Sequence, residues 1–430
     1  MSKFILSVVV AGLAVGVLLI PSPQAPLPGP SEPTTPPSVA VCPVDEGSGR
    51  STRVGVVSDA EAEGRFTAFA AGVSAGSTTF TTSEAGTAVV ALAEIAPLGT
   101  GGGLAELPGS AVAAGTVIEG PESVATESCV QTPLPQTLLA GGSTVSGQQF
   151  EIQLMNPYAG EAVVDLVVLS ESGLEVAPQL RGIAVPPRST VVQDLAELLP
   201  GRQSMAISVE VASGSVMAVG RYGVGTDVAI WNAVPPAVDW YVPIPGGGIS
   251  GELQISTAVA AEVGFQLDVY GPQGLVEAHS DGTVPARGVV SVPLDDLGLE
   301  GASAVRVIST QPVAVFTRLI LDPGLALTSG ASTTAPQWLL PAGGLAQGGT
   351  GSVVILNAGL DEDRVTVTAR RENPVAEEVV VPAGTAVQVR SVDGGANSYT
   401  VEGSGDLVAL WVTNTGAGLG YSMGIPVLNE

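Results

Sequence analysis

The chain has 430 residues, with 15 Lys plus Arg against 41 Asp plus Glu, one His, two Cys and a formal net charge of −26. Lys3 is the only lysine and His279 the only histidine, so every other cation in the chain is an arginine. That excludes a Walker lysine, Schiff-base chemistry, lysine isopeptide cross-links and zinc sites built on two histidines, and it leaves too few cations to neutralise a run of phosphates, so no nucleic-acid partner is expected.

Residues 4–20 form an uncharged apolar run of 17 residues behind Lys3. As a helix the run would span roughly 26 Å, close to a bilayer core of about 30 Å. An uncleaved signal anchor at residues 1–20 is preferred to a cleaved signal peptide, because cutting after Ala25 would place Pro23 at the −3 position and Pro26 directly after the bond. Positive charge stays inside, so the expected location is the cell membrane, single-pass, with the C-terminal part outside. Secretion after cleavage is the alternative. Residues 21–37 hold eight prolines and read as an extended linker reaching about 50 Å.

Mean hydropathy is positive over the whole chain. Beyond residue 20, however, the apolar residues fall into short alternating Val-rich and Ala-rich runs such as 163–169, 265–270 and 365–369. That pattern fits β cores and not further membrane spans. Charged residues make up 13%, about half the usual share.

Internal repetition organises the rest. Val-Pro occurs at Val185-Pro186, Val284-Pro285 and Val381-Pro382, spaced by 99 and 97 residues, and double glycines fall at Gly141-Gly142, Gly246-Gly247 and Gly343-Gly344. A Val-Val pair followed by a short Leu-acidic segment marks Val89-Val90, Val191-Val192 and Val289-Val290, and a late strand recurs at 111–114, 216–219, 313–316 and 408–411. These landmarks predict an all-β chain of four tandem Ig-like β-sandwiches of about 97 residues, at 38–132 (the most diverged), 133–237, 238–335 and 336–430. The third unit shows six or seven short strands, including separate ones at 304–309 and 313–321, and residues 195–199 read as one helical turn. An eight-bladed β-propeller, two blades per repeat, is the alternative fold. Cys42 opens the first unit and Cys129 follows its last strand, so a disulfide between them would clamp both ends of that unit in an oxidising exterior.

Candidate chemistry is sparse. The pattern Gly-x-Ser-x-Gly surrounds Ser74 and Ser422, but a nucleophile elbow needs a following helix and a histidine, and His279 lies in another repeat beside a turn. The carboxylate groups Asp59-Glu61-Glu63, Asp295-Asp296, Asp361-Glu362-Asp363 and Glu377-Glu378 read as solvated hairpin tips, with weak Ca2+ binding or glycan hydrolysis as their functional readings. Glycine runs at 99–103 and 246–248 precede no helix that could cradle a phosphate. Trp240-Tyr241 and Trp338-Leu339 recur at the starts of units 3 and 4, with Trp231 just upstream, and are expected to pack between units instead of forming a ligand platform. No catalytic, cofactor or metal residue is assigned.

The apolar start, the Pro-rich spacer, Val185-Pro186-Pro187-Arg188 before Val191-Val192-Gln193-Asp194-Leu195, and the late Val216-Met217-Ala218-Val219 strand together resemble a family of uncharacterised, N-terminally anchored or secreted envelope proteins of high-GC Gram-positive bacteria. The resemblance implies an envelope location and no catalytic residues. The expected function is therefore a non-enzymatic extracytoplasmic stalk, scaffold or binding module, facing an unknown envelope protein or glycan. A carboxylate-dependent glycan-processing enzyme is the alternative.

Overall fold

Alternation of buried and exposed side chains builds the third strand of units 2, 3 and 4, at Ala162–Ser170, Val263–Gly271 and Asp363–Arg370. One face of each enters a core and the other meets solvent or a neighbour. The computed structural model describes residues 38–428 apart from 47–48, 59–60, 71–72, 96–98, 108–111, 248–249, 322–323, 342–348, 391–397 and 417. The expected anchor at 1–20 and linker at 21–37 lie outside the described residues, as do Gly343 and Gly344. Among the described residues no helix is long and apolar enough to cross a membrane.

Unit 1 has eight strands, Ser38–Glu46, Ser51–Ser58, Glu63–Ala70, Val73–Thr81, Thr87–Ala91, Gly99–Leu107, Val112–Gly120 and Ser123–Ser128. They form two four-stranded sheets in the orders 1-6-3-4 and 5-2-7-8. The other units repeat these orders, with the fourth position of unit 2 split into Gly173–Leu174 and Ile183–Val185. The fold is thus all-β, built of paired sheets and not propeller blades. First strands of units 3 and 4 begin at Ala237 and Ala335, one residue before the boundaries read from the repeats. The expected helical turn is present at Leu195–Leu198, capped by the Asp194 side chain, which accepts from the N–H groups of Ala196 (2.8 Å) and Glu197 (3.2 Å).

Units 3 and 4 each carry a single long strand, which in unit 3 replaces the separate strands expected at 304–309 and 313–321. Ser303–Leu321 pairs with the first and third strands through its first half and with the second strand through its second half, so it passes from one sheet to the other. Ser398–Thr415 does the same. The crossing is held by tryptophan. Trp240 Nε1 donates to the carbonyls of Ala237 (3.2 Å) and Val313 (2.9 Å), and Trp338 Nε1 donates to those of Ala335 (3.1 Å) and Leu407 (2.8 Å). These two residues therefore use their polar atoms within their own units, while their rings belong to the apolar core that units 2, 3 and 4 share. Trp231 stacks on Phe150 of its own unit at 5.8 Å.

Each eighth strand is hydrogen-bonded on one side only and would be an exposed edge in an isolated sandwich. Here the four edges meet. Ser123–Ser128 packs on Asp227–Asn232, that strand on Gly324–Ser329, that on Gly418–Met423, and the last returns to Ser123–Ser128. Ser128 Oγ lies 3.0 Å from Ser422 Oγ and 2.6 Å from the Met423 carbonyl, while Asn232 Nδ2 donates to the Ser128 carbonyl at 2.5 Å. Units 2, 3 and 4 share one continuous apolar core. Unit 1 has its own core around Phe66, Val56 and Leu107, and a separate cluster containing Phe69, Ile118, Met217 and Ile230 joins it to unit 2. The four units form a closed cycle, not the extended stalk that tandem repeats invite. Repetition in a sequence counts units without saying whether the last returns to the first.

Cys42 and Cys129 are joined, with Cα atoms 4.5 Å apart across 87 residues of sequence. They flank the backbone bridge between Val41 and Val130, which recurs as Leu138 with Val234 and Tyr241 with Ala331. At the matching place, unit 3 has Val242 against Gly330 and unit 4 has Leu340 against Gly424, where a Cβ on the glycine would come within 2.9 and 2.6 Å of the aliphatic side chain. An aliphatic group fills there the space that the disulfide fills in unit 1.

Candidate functional site

The residues singled out from sequence do not converge. Ser74 belongs to the strand Val73–Thr81 and Ser422 to the strand Gly418–Met423, so neither occupies a strand-to-helix elbow. His279 lies on the strand Gly274–Val284, and its side chain is outside the described residues. Asp295 and Asp296 are exposed in a short helical turn, and Glu377 and Glu378 are exposed on the strand Val375–Val381. Glu61 and Glu63 are exposed as well, while Asp59 falls outside the described residues. Asp363 departs from the solvated reading. It is buried and accepts from Ser404 N–H (2.9 Å), Ser404 Oγ (2.9 Å) and Gly405 N–H (2.8 Å), which makes it a staple for the sheet-crossing segment of unit 4. Among the described residues no group of three His, Cys, Asp or Glu is placed to hold a metal ion.

The glycine runs have structural uses. Gly103 lies under the Phe66 ring, where a Cβ would be 2.0 Å from the ring, and Gly246 N–H donates to Gln388 Oε1 at 3.0 Å across units 3 and 4. That junction also borders an open groove of about 560 Å3 lined in part by Thr350, Gln388, Arg390 and Tyr421. Its Gln388 amide is already committed, to Gly246 on one side and to Ser352 Oγ (2.8 Å) on the other.

A different group of residues gathers where the eighth strands end. A cavity of about 210 Å3 is lined by residues of all four units, among them Glu127, Asn232, Gly330, Trp338 and Met423. Glu127 is 4% exposed. Its carboxyl accepts from the N–H groups of Ser128 (2.7 Å) and Asn232 (3.3 Å). Removal from water outweighs these two bonds and pushes its pKa up to about 8. Asn232 commits its Nδ2 to the Ser128 carbonyl, and its Oδ1 is buried with no hydrogen-bond partner. The cavity lining therefore mixes apolar side chains such as Trp240, Trp338 and Met423 with the hydroxyl residues Ser329, Ser332 and Thr333, and holds one carboxyl group, neutral at pH 7. A lone carboxyl does not make the pair that glycoside hydrolysis uses.

Nothing in the sequence marks Glu127, because the eighth strand is not among the repeated landmarks. Strand pairing places Glu127 level with Trp231, Thr328 and Ser422 in the other units. An acid standing where the repeats have an indole or a hydroxyl is the signal an alignment of eighth strands would have given.

A family model for a family of unknown function, DUF5719, matches residues 105–391, which run from the sixth strand of unit 1 into unit 4. The chain belongs to the DUF5719 family. The match spans about two thirds of the sequence, includes Glu127 and Asn232, and assigns no activity. No curated protein matches. Among solved structures, the chain is similar at 13% identity to the tetra-tandem repeat in the extending region of a large adhesion protein, over 91% of this chain and 100% of that one. The TM-score of 0.12 is too low for that likeness to carry an argument.

Proposed function

We propose that the protein is a non-enzymatic, extracytoplasmic binding scaffold of the cell envelope, held at the membrane by residues 1–20 and displayed by the linker at 21–37. The observation that supports a scaffold is the closed cycle of eighth strands, which ties four sandwiches into one body and buries edges that would otherwise invite strand addition. An acidic surface suits its partner's charge: beyond residue 20 the chain carries 14 Arg against 41 carboxylates. Such a surface favours a basic protein, or a glycan bridged by cations, over a bare anionic polymer.

Protease treatment of intact cells tests the location. The expected result is digestion without lysis and recovery of the full chain in the membrane fraction. A protected, cytosolic protein overturns the envelope reading. Affinity capture with the full chain from envelope extracts tests the scaffold, and failure to enrich any envelope component over a charge-matched control would count against it.

A further inference from the structure

We propose that the open groove between units 3 and 4 binds a short saccharide bearing a carboxylate, with Arg390 as the group that holds the carboxylate. The groove lies where two other junctions are closed by an arginine. In unit 2, Arg221 stands opposite Glu151, pairs with it at 2.8 Å and reaches back to Asp45 of unit 1 at 3.5 Å. In unit 3, Arg318 stands opposite Glu252, pairs with it at 2.6 Å and donates to the Gly141 carbonyl of unit 2 at 3.2 Å. Glu151, Glu252 and Ser352 are equivalent, each five residues before Asn156, Thr257 or Asn357. Unit 4 therefore has Ser352 opposite Val412 where the others have an ion pair, and both short side chains line the groove of about 560 Å3 that remains.

The cation reappears one strand over. On the other side of Ser352 the strand Thr385–Arg390 places Arg390, at the position held by Asp194 in unit 2 and Pro293 in unit 3. Unit 4 thus keeps a guanidinium in this row and lacks the carboxylate that neutralises it elsewhere. Arg390 is exposed, lines the groove, and has no ion-pair or hydrogen-bond partner among the described residues. A ligand carboxylate supplies the missing acid, and the planar guanidinium takes it through two parallel N–H donors. No other lining residue is charged, and the exposed Thr350 and Asn414 side chains offer a hydroxyl and an amide to sugar hydroxyls. Gln388, held at both ends, buttresses the wall. The volume suits one or two sugar residues, since small-molecule sites span about 300 to 1,000 Å3. A long polyanion is repelled by the net charge of −26. The proposal deepens the glycan side of the scaffold reading but does not depend on location: a cytosolic protein would keep the site, and a groove that takes no sugar would leave the envelope reading standing.

The test measures binding to the full chain by saturation-transfer NMR at pH 7 and physiological salt, with D-glucuronate, with D-glucose, which has a hydroxymethyl group in place of the carboxylate, and with acetate, which has the carboxylate without the sugar. Glucuronate should bind at least about tenfold more tightly than either control. Arg390→Gln should bring glucuronate down to the level of glucose and leave the melting temperature unchanged, because the side chain is exposed. Ser352→Glu combined with Val412→Arg rebuilds the ion pair of units 2 and 3 across the groove and should abolish glucuronate binding. If that double variant does not fold, R390Q alone decides. The proposal is overturned if glucose or acetate binds as tightly as glucuronate, if R390Q binds as wild type does, or if the folded double variant still takes up the sugar.

Discussion

Glu127 stays a neutral acid because the eighth strands enclose it, and that has a thermodynamic cost. Unfolded, the side chain titrates near 4.5; folded, near 8. Between these values the folded chain holds a proton that the unfolded chain has lost, so stability falls as pH rises from about 4.5 to about 8 and is level beyond. The upper bound on this loss is on the order of 4 to 5 kcal/mol. E127Q should match wild type near pH 4.5 and exceed its stability at pH 8.5 by a few kcal/mol, as read from urea denaturation at both values. Parallel pH profiles for the two proteins would show that Glu127 is solvated. Asp363 shows the same limit of sequence reading from the other direction. Beside Asp361 and Glu362 it looks like one of three solvated acids, yet its partners Ser404 and Gly405 arrive from about 40 residues away. Side-chain environments of this kind depend on which strands become neighbours, and local composition does not encode that.

Turns and strands were more legible, because their determinants are local. The Val-Pro landmark is a turn in which the carbonyl of Val185 or Val381 accepts from Asn156 or Asn357 Nδ2 (3.0 and 2.9 Å). Two residues after each landmark proline the backbone enters the left-handed region, at Arg188 (φ 49°), Arg287 (φ 50°) and Gly384 (φ 63°). Only the last is a glycine, and non-glycine residues bear a cost of about 1 kcal/mol or more there. Both arginines have exposed side chains. Replacing Arg188 or Arg287 by Gly should therefore leave stability unchanged or raise it by up to about 1 kcal/mol, since relief of strain competes with the added freedom of the unfolded chain. Replacement by Val, which is β-branched, should lower it by about 1 to 2 kcal/mol. Urea midpoints of the four variants measure this, and a Gly variant less stable than its Val counterpart contradicts the account. The eighth strand escaped detection for a related reason. Ser123–Ser128 is buried along its whole length, so the alternation that reveals half-buried strands is absent.

Closure of the cycle was not legible at all, because the seam between units 4 and 1 joins residues nearly 300 positions apart, as in the contact of Ser128 with Ser422. At this seam Gly420 lies against Thr126, where a Cβ would be 2.9 Å from Oγ1 and 3.2 Å from the backbone nitrogen, and Arg370 Nη1 reaches the Ser58 carbonyl at 3.2 Å. A compact body of about 390 residues has a radius of gyration of about 21 Å, whereas four units of about 13 Å each in a row would give roughly 40 Å. Small-angle scattering from residues 38–430 should return a value near the first figure, and one near the second would rule out the closed cycle. Gly420→Val pushes a branched side chain into the Thr126 backbone, which cannot yield by a rotamer change, so the seam must part or the strand must shift, at a cost of about 1 to 3 kcal/mol. Unit 1 would then stay tied to the rest mainly through its unit 2 cluster, around Phe69 and Ile230. Its own core is already separate from the one shared by units 2, 3 and 4, so in G420V it should melt as a distinct, earlier transition by calorimetry. Reduction of the Cys42–Cys129 disulfide should move that early transition down further, because the cross-link restrains unit 1 alone. If G420V still unfolds in one transition at the wild-type temperature, the unit 4 to unit 1 contact adds nothing to cohesion, and the cycle is held by its other three seams.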